Sequence, residues 1–108
     1  MSWRPVCALE RLAPDRGVAA LVGGAQVALF RLDGSEVIHA LGNVDPFSGV
    51  GCLSRGIVGD VAGEPMVVSP LHKQRFSLRT GRCLEDPSVA VEVFDVRVSG
   101  DQLEVFVA

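Results

Sequence analysis

The chain has 108 residues, 48% hydrophobic and 21% charged, and ten basic against thirteen acidic side chains leave a formal charge of −3. Such a composition excludes a disordered chain, and the length suits a single domain over residues 1–108 with one ordinary core. The acidic balance argues against a dedicated nucleic-acid module, which carries a basic stripe, so nucleic acid is not an expected partner.

From the N-terminus, Met1 to Pro14 is broken by Arg4, Pro5, Glu10, Arg11 and Pro14, which leaves no signal-peptide core. Ala8 to Leu12 is the only helical candidate. Gly17 to Val22 and Gln26 to Leu32 flank Gly23-Gly24-Ala25 and predict a tight hairpin, since glycine tolerates positive φ. A second turn at Asp33-Gly34-Ser35 leads into Glu36 to Leu41 and completes a three-stranded meander. The longest uncharged stretch, Gly17 to Phe30, falls short of the roughly 18 apolar residues of a membrane span, and two glycines interrupt it. A cytoplasmic protein without a membrane partner is expected. Cys7, Cys52 and Cys83 have no metal-like spacing, and their odd number reads as reduced thiols.

The middle of the chain, Gly42 to Gly81, reads as two loop-like, polar, proline-containing segments set between meanders. They surround Glu64-Pro65 and the apolar run Met66-Val67-Val68. Long loops on a rigid scaffold are where function concentrates. Towards the C-terminus, Phe94, Val96 and Val98 alternate with Asp95 and Arg97, the period of one half-buried strand. Val89, Val91 and Val93 keep the opposite parity, which predicts a bulge or bend near Val93. Ser99-Gly100-Asp101 turns the chain into a closing strand through Leu103, Val105 and Val107.

The segment Val68 to Gly81 resembles the second box of Rieske iron–sulfur domains: Cys-Pro-x-His-Gly, a phenylalanine after two more residues, then a strand to a Thr-Gly turn. The first box, Cys-x-His, would fall on Asn43-Val44-Asp45. The implied fold is all-β, a Rieske-like antiparallel β-sandwich with a degenerate cluster-binding subdomain at about residues 43–81. Two thiolates and two imidazoles hold a Rieske cluster. The matching positions here are Asn43, Asp45, Ser69 and His72, and only His72 keeps a ligand type. Amide and hydroxyl groups supply neither the charge nor the soft donors of thiolates, so no cofactor or metal is expected in this chain.

Three further signatures, Asn43 to Phe47, Leu53 to Gly56 and Ser69 to Phe76, resemble the small subunit of the assimilatory NAD(P)H-dependent nitrite reductase. The resemblance implies a large-subunit partner carrying FAD, an iron–sulfur cluster and sirohaem, which reduces nitrite to ammonium. It also implies a small subunit without catalytic residues of its own. A Rieske-like module of another oxidoreductase is the alternative, and a Rieske ferredoxin is disfavoured by the ligand set.

Within this frame Asp45 and His72 are expected to join the two ligand loops by a hydrogen bond or ion pair, with Pro46, Phe47, Pro70 and Leu71 as apolar holders. Lys73, Gln74 and Arg75, and more weakly Arg55, are candidates for docking a partner, against the alternative of plain solvated charges. Arg75 would be the most sensitive of these, since arginine binds a carboxylate with two hydrogen bonds. His39 reads as a scaffold residue, and Cys52 and Cys83 as small apolar fillers. Trp3 either anchors the first strand or contacts a partner.

Overall fold

In the computed structural model, which describes residues 2–33 and 37–107, nearly all regular structure is antiparallel strand. The strands are β1 (Ser2–Ala8), β2 (Gly17–Val22), β3 (Ala25–Arg31), β4 (Ile38–Gly42), β5 (Ile57–Val61), β6 (Glu64–Val68), β7 (Arg75–Ser77), β8 (Val93–Phe94), β9 (Val96–Ser99) and β10 (Gln102–Val107). They form three sheets, ordered β1-β10-β9, β2-β3-β4-β8 and β5-β6-β7. Among the described residues no helix is long and apolar enough to cross a membrane.

The β2–β3 hairpin forms as its glycines predict. Val22 pairs with Ala25, and Gly23 and Gly24 take φ of 55° and 84°. Both values lie where a side chain is disfavoured, and both are required by a two-residue turn whose twist matches the strands. The meander continues through β4, although the turn expected at Asp33-Gly34-Ser35 and the start of the next strand at Glu36 lie largely outside the described residues.

Strand β3 sets the layering. Val27 and Leu29 face one core together with Leu12, Val22, Ala40, Leu103, Val105 and Val107. Ala28 and Phe30 face a second core with Leu41, Leu53, Val67, Phe76, Leu78 and Cys83. A strand buried on both faces reads as a continuous apolar run, which is why Val27-Ala28-Leu29-Phe30 shows no alternation. The sheet containing β3 is thus the middle layer: β1-β10-β9 covers one side and β5-β6-β7 the other.

Three expectations are corrected. The helical candidate is a single 3-10 turn at Leu9–Arg11, and Ala8 belongs to β1, because Pro14 follows too closely for a longer helix. The strand expected through Phe94, Val96 and Val98 divides at Asp95: Phe94 pairs with Ala40 in the middle sheet, and Val96 pairs with Val105 in the outer one. The chain therefore changes sheets at Asp95, where the Phe106 N–H donates to the Asp95 carbonyl at 3.0 Å, and the parity change upstream belongs to that crossing. Val98, past the crossing on an edge strand, is exposed. The middle segment is more regular than its loop-like sequence suggested, because Ile57 to Ser77 supplies the whole third sheet. Proline at position 65 is accommodated in β6 opposite Asp60.

Candidate functional site

Two loops meet at one end of the molecule, residues 43–55 after β4 and residues 69–74 between β6 and β7. The first is fixed by its own backbone. The Asn43 N–H donates to the Gln26 carbonyl at 2.9 Å, and the Asn43 carbonyl accepts from Cys52 and Leu53 N–H, both at 3.0 Å. The Asn43 side-chain oxygen accepts from the Ser54 N–H at 2.7 Å. Further out, the Asp45 N–H donates to the Val50 carbonyl and the Gly49 N–H returns to the Asp45 carbonyl at 2.8 Å. The second loop closes in the same way: Ser69 N–H donates to the Gln74 carbonyl at 2.8 Å, and Lys73 N–H to the Ser69 carbonyl at 3.1 Å.

Asp45 is fully buried, at 0% exposure, as is Ser69. One carboxylate oxygen accepts from the Phe47 N–H at 2.8 Å; the other accepts from the Ser69 hydroxyl at 2.5 Å. A buried carboxylate is tolerated only when it is hydrogen-bonded, and a hydroxyl-to-carboxylate bond of this length is of the strong, charge-assisted kind. This contact joins the two loops. The expected tie between Asp45 and His72 is therefore corrected: loop 69–74 folds back on its own backbone, so that Ser69 at its base meets Asp45, while His72 at its apex is exposed. The apolar holders are corrected too. Phe47 is 40% exposed and Leu71 51%, although the Phe47 ring still lies 6.3 Å from that of the buried Phe76.

Cys52 is buried beside this pair. Burial pushes its thiol above the ordinary value and the Asp45 carboxylate adds to the rise, opposed by a hydrogen bond with the Ser69 side chain and by the charge of Arg55. No spacing rule marked Cys52 as a neighbour of Ser69, seventeen positions away.

The candidate docking residues are not equivalent. Arg75 already binds Glu85: its Nε donates to one carboxylate oxygen at 2.6 Å and its backbone N–H to the other at 2.7 Å. Burial raises the Glu85 carboxyl, but the bonds from Arg75 outweigh it and hold the group below the ordinary value. Gln74 is half-buried, and its side-chain oxygen has no hydrogen-bond partner among the described residues. Lys73 is exposed, with its ammonium on the Pro70 carbonyl at 3.2 Å. Its φ of 64° lies in the left-handed region, which costs a residue with a Cβ about 1–2 kcal/mol and glycine little. It occupies the place that glycine holds in the Cys-Pro-x-His-Gly box. Arg55 is exposed at the end of a 3-10 turn, Leu53–Arg55.

The four ligand positions do not fit a [2Fe–2S] cluster. Asn43, Asp45 and Ser69 spend their side chains on internal hydrogen bonds, as above, and only His72 offers an imidazole. Among the described residues no group of three or more histidine, cysteine or acidic side chains is placed to hold a metal ion. Elsewhere, His39 is half-buried opposite Phe30 in the sheet, and burial lowers its pKa, partly opposed by a hydrogen bond with the Leu78 backbone. Trp3 packs edge-on against Phe106 at 5.2 Å, with the Arg97 guanidinium 4.3 Å over its ring.

Three stacked antiparallel sheets with two loops facing each other at one end define a Rieske-like domain, and the chain belongs to that family: the sequence profile of the Rieske-like [2Fe-2S] domain matches residues 2–106. Within it, the chain falls among the nitrite reductase small subunits. It is 45% identical over 96 residues to the nitrite reductase (NADH) small subunit of Salmonella typhimurium, covering 89% of each chain. The crystal structure described as an NADH-dependent nitrite reductase small subunit from Mycobacterium tuberculosis superposes with a TM-score of 0.93 at 52% identity, over 99% of this chain and 96% of that one. A third relative is built differently. The nitrite reductase [NAD(P)H] large subunit of Klebsiella oxytoca is 40% identical over 103 residues, which are 95% of this chain and 11% of that one.

Proposed function

We propose that the chain is a small subunit of NAD(P)H-dependent nitrite reductase that holds no cluster and no catalytic group, and acts by docking to the cytoplasmic large subunit. FAD, an iron–sulfur cluster and sirohaem belong to that partner, which reduces nitrite to ammonium. The observation that carries this reading is the closed Asp45–Ser69 hydrogen bond, which ties the loops where a cluster would otherwise tie them. The Klebsiella large subunit supports the partnership, because a domain like this one is part of the same polypeptide there. Docking is assigned to the end of the molecule that carries Lys73, Gln74, Arg75 and Arg55.

The test is preparative and functional. Protein made anaerobically with iron and sulfide in excess should be colourless, with neither metal nor acid-labile sulfide in stoichiometric amount. Added to the separately purified large subunit, it should form a complex and change the yield of active nitrite reductase. A Rieske-type visible spectrum with stoichiometric iron would overturn the first half. Failure to bind the large subunit, with a different oxidoreductase recovered from the native cell, would favour an accessory module of that enzyme.

A further inference from the structure

We propose that the loop end is an apolar plug with a cationic collar, that it fits an acidic, apolar-floored surface of the large subunit, and that Lys73 is its specificity residue. The inference rests on the docking reading above and names the chemistry of the surface that receives it. Four apolar side chains of the two loops stand open to solvent: Val44 at 37%, Phe47 at 40%, Val50 at 48% and Leu71 at 51% exposure. Exposed apolar side chains carried by two neighbouring loops and flanked by charged groups have the make-up of an interaction surface.

The charges around it are segregated. Of the ten basic and thirteen acidic residues, segments 43–55 and 69–75 hold three basic ones and a single acid, which leaves seven against twelve for the rest. That acid is Asp45, which is buried and offers no charge at the surface. Glu85 reaches the same end but is spent on Arg75. What remains around the apolar residues is Lys73, Arg55 and the His72 imidazole, on a chain whose other residues carry a net negative charge. Such a charge distribution favours a partner surface of complementary, acidic charge.

Lys73 stands out within the collar for a backbone reason. Its φ of 64° is one that glycine adopts without penalty, so a lysine here makes the free loop less stable than glycine would. Strain kept at a surface position points to a use for the side chain. Its ammonium meets only a carbonyl, that of Pro70, and among the described residues no carboxylate. It is therefore available to a carboxylate of the partner. Arg75 is less available, because its charge is already paired with Glu85 through Nε.

The experiment compares the wild-type chain with Lys73→Gly, Lys73→Arg and Arg75→Ala, each as the full chain, by denaturation midpoint and by affinity for the purified large subunit. Lys73→Gly should raise the midpoint yet weaken binding tenfold or more, about 1.4 kcal/mol. The loss should shrink as salt screens the pair. Lys73→Arg should lose less affinity than Lys73→Gly, because it keeps the positive charge. Arg75→Ala should cost less affinity than Lys73→Gly. If wild type binds and Lys73→Gly binds equally well, or if its midpoint falls, this inference is overturned while the small-subunit reading stands. If wild type itself does not bind the large subunit, the reading fails and the inference with it.

Discussion

The fully buried Asp45 carboxylate accepts from two donors inside the fold, the Phe47 N–H and the Ser69 hydroxyl. Removing one donor leaves an acceptor without its partner, which costs about 1–3 kcal/mol. Ser69→Ala should therefore lower stability by that amount in urea denaturation. Combined with Asp45→Ala it should show non-additivity, because the two residues share one bond. A Ser69→Ala loss below about 0.5 kcal/mol would show that water replaces the hydroxyl. Phe47→Ala should cost about 1–2 kcal/mol, well under the 3–5 of a fully buried ring, because two-fifths of the side chain already faces water. The resemblance made the positions of Asp45 and Ser69 legible, but not their partnership. They lie twenty-four residues apart, and the face each loop turns inward depends on backbone bonds that no residue spacing encodes.

Strands with one apolar face were the most readable elements: β10 alternates as its sequence does, with Leu103, Val105 and Val107 buried. The β2–β3 hairpin was equally legible, since Gly23-Gly24 leaves few alternatives. The crossing at Asp95 was hidden, because Phe94 and Val96 alternate in sequence whether they share one sheet or enter two. The third sheet was obscured by glycine and proline inside its strands. Gly56, just before β5, has a physical reason to be glycine: an added Cβ would lie 2.3 Å from the Val68 carbonyl oxygen and 2.7 Å from a Val67 methyl group. Gly59, within β5, would meet nothing within 4 Å. Gly56→Ala should lose about 1–3 kcal/mol or more through forced separation of the strands. Gly59→Ala should be neutral or slightly stabilising, since alanine costs less backbone entropy than glycine. Equal effects from the two substitutions would show that close approach is not what Gly56 serves.

At the scale of the whole chain, the ionisable groups set a stability plateau in pH. Burial holds the His39 pKa below its ordinary 6.5, so the unfolded chain takes up that proton first and stability falls as pH drops through 6.5. The Glu64 carboxyl is held below 4.5 by the Arg79 and Ser77 hydrogen bonds, and Glu85 by Arg75 against its own burial. Their contribution is complete above 4.5 and is lost as pH falls through the folded values, a second and more acidic step. At the other end, burial raises the Cys7 and Cys52 thiols above 9.0, so the unfolded chain ionises first and stability falls above that pH. Denaturation midpoints from pH 3.5 to 10 should therefore show a plateau between about 6.5 and 9, and His39→Gln should remove the upper acid step alone. A midpoint that keeps rising below pH 6 would contradict the assignment. Composition gave the number of ionisable groups, but not which of them are shifted, since that depends on burial and hydrogen bonding.

The double burial of β3 has a kinetic consequence. Its residues line both cores, so neither outer sheet can detach without baring one face of the same strand. Local openings that release backbone amides to solvent should then be rare in β3, whose protons should exchange with deuterium only through global unfolding. The amides of β5 and β9, at sheet edges, should exchange far sooner.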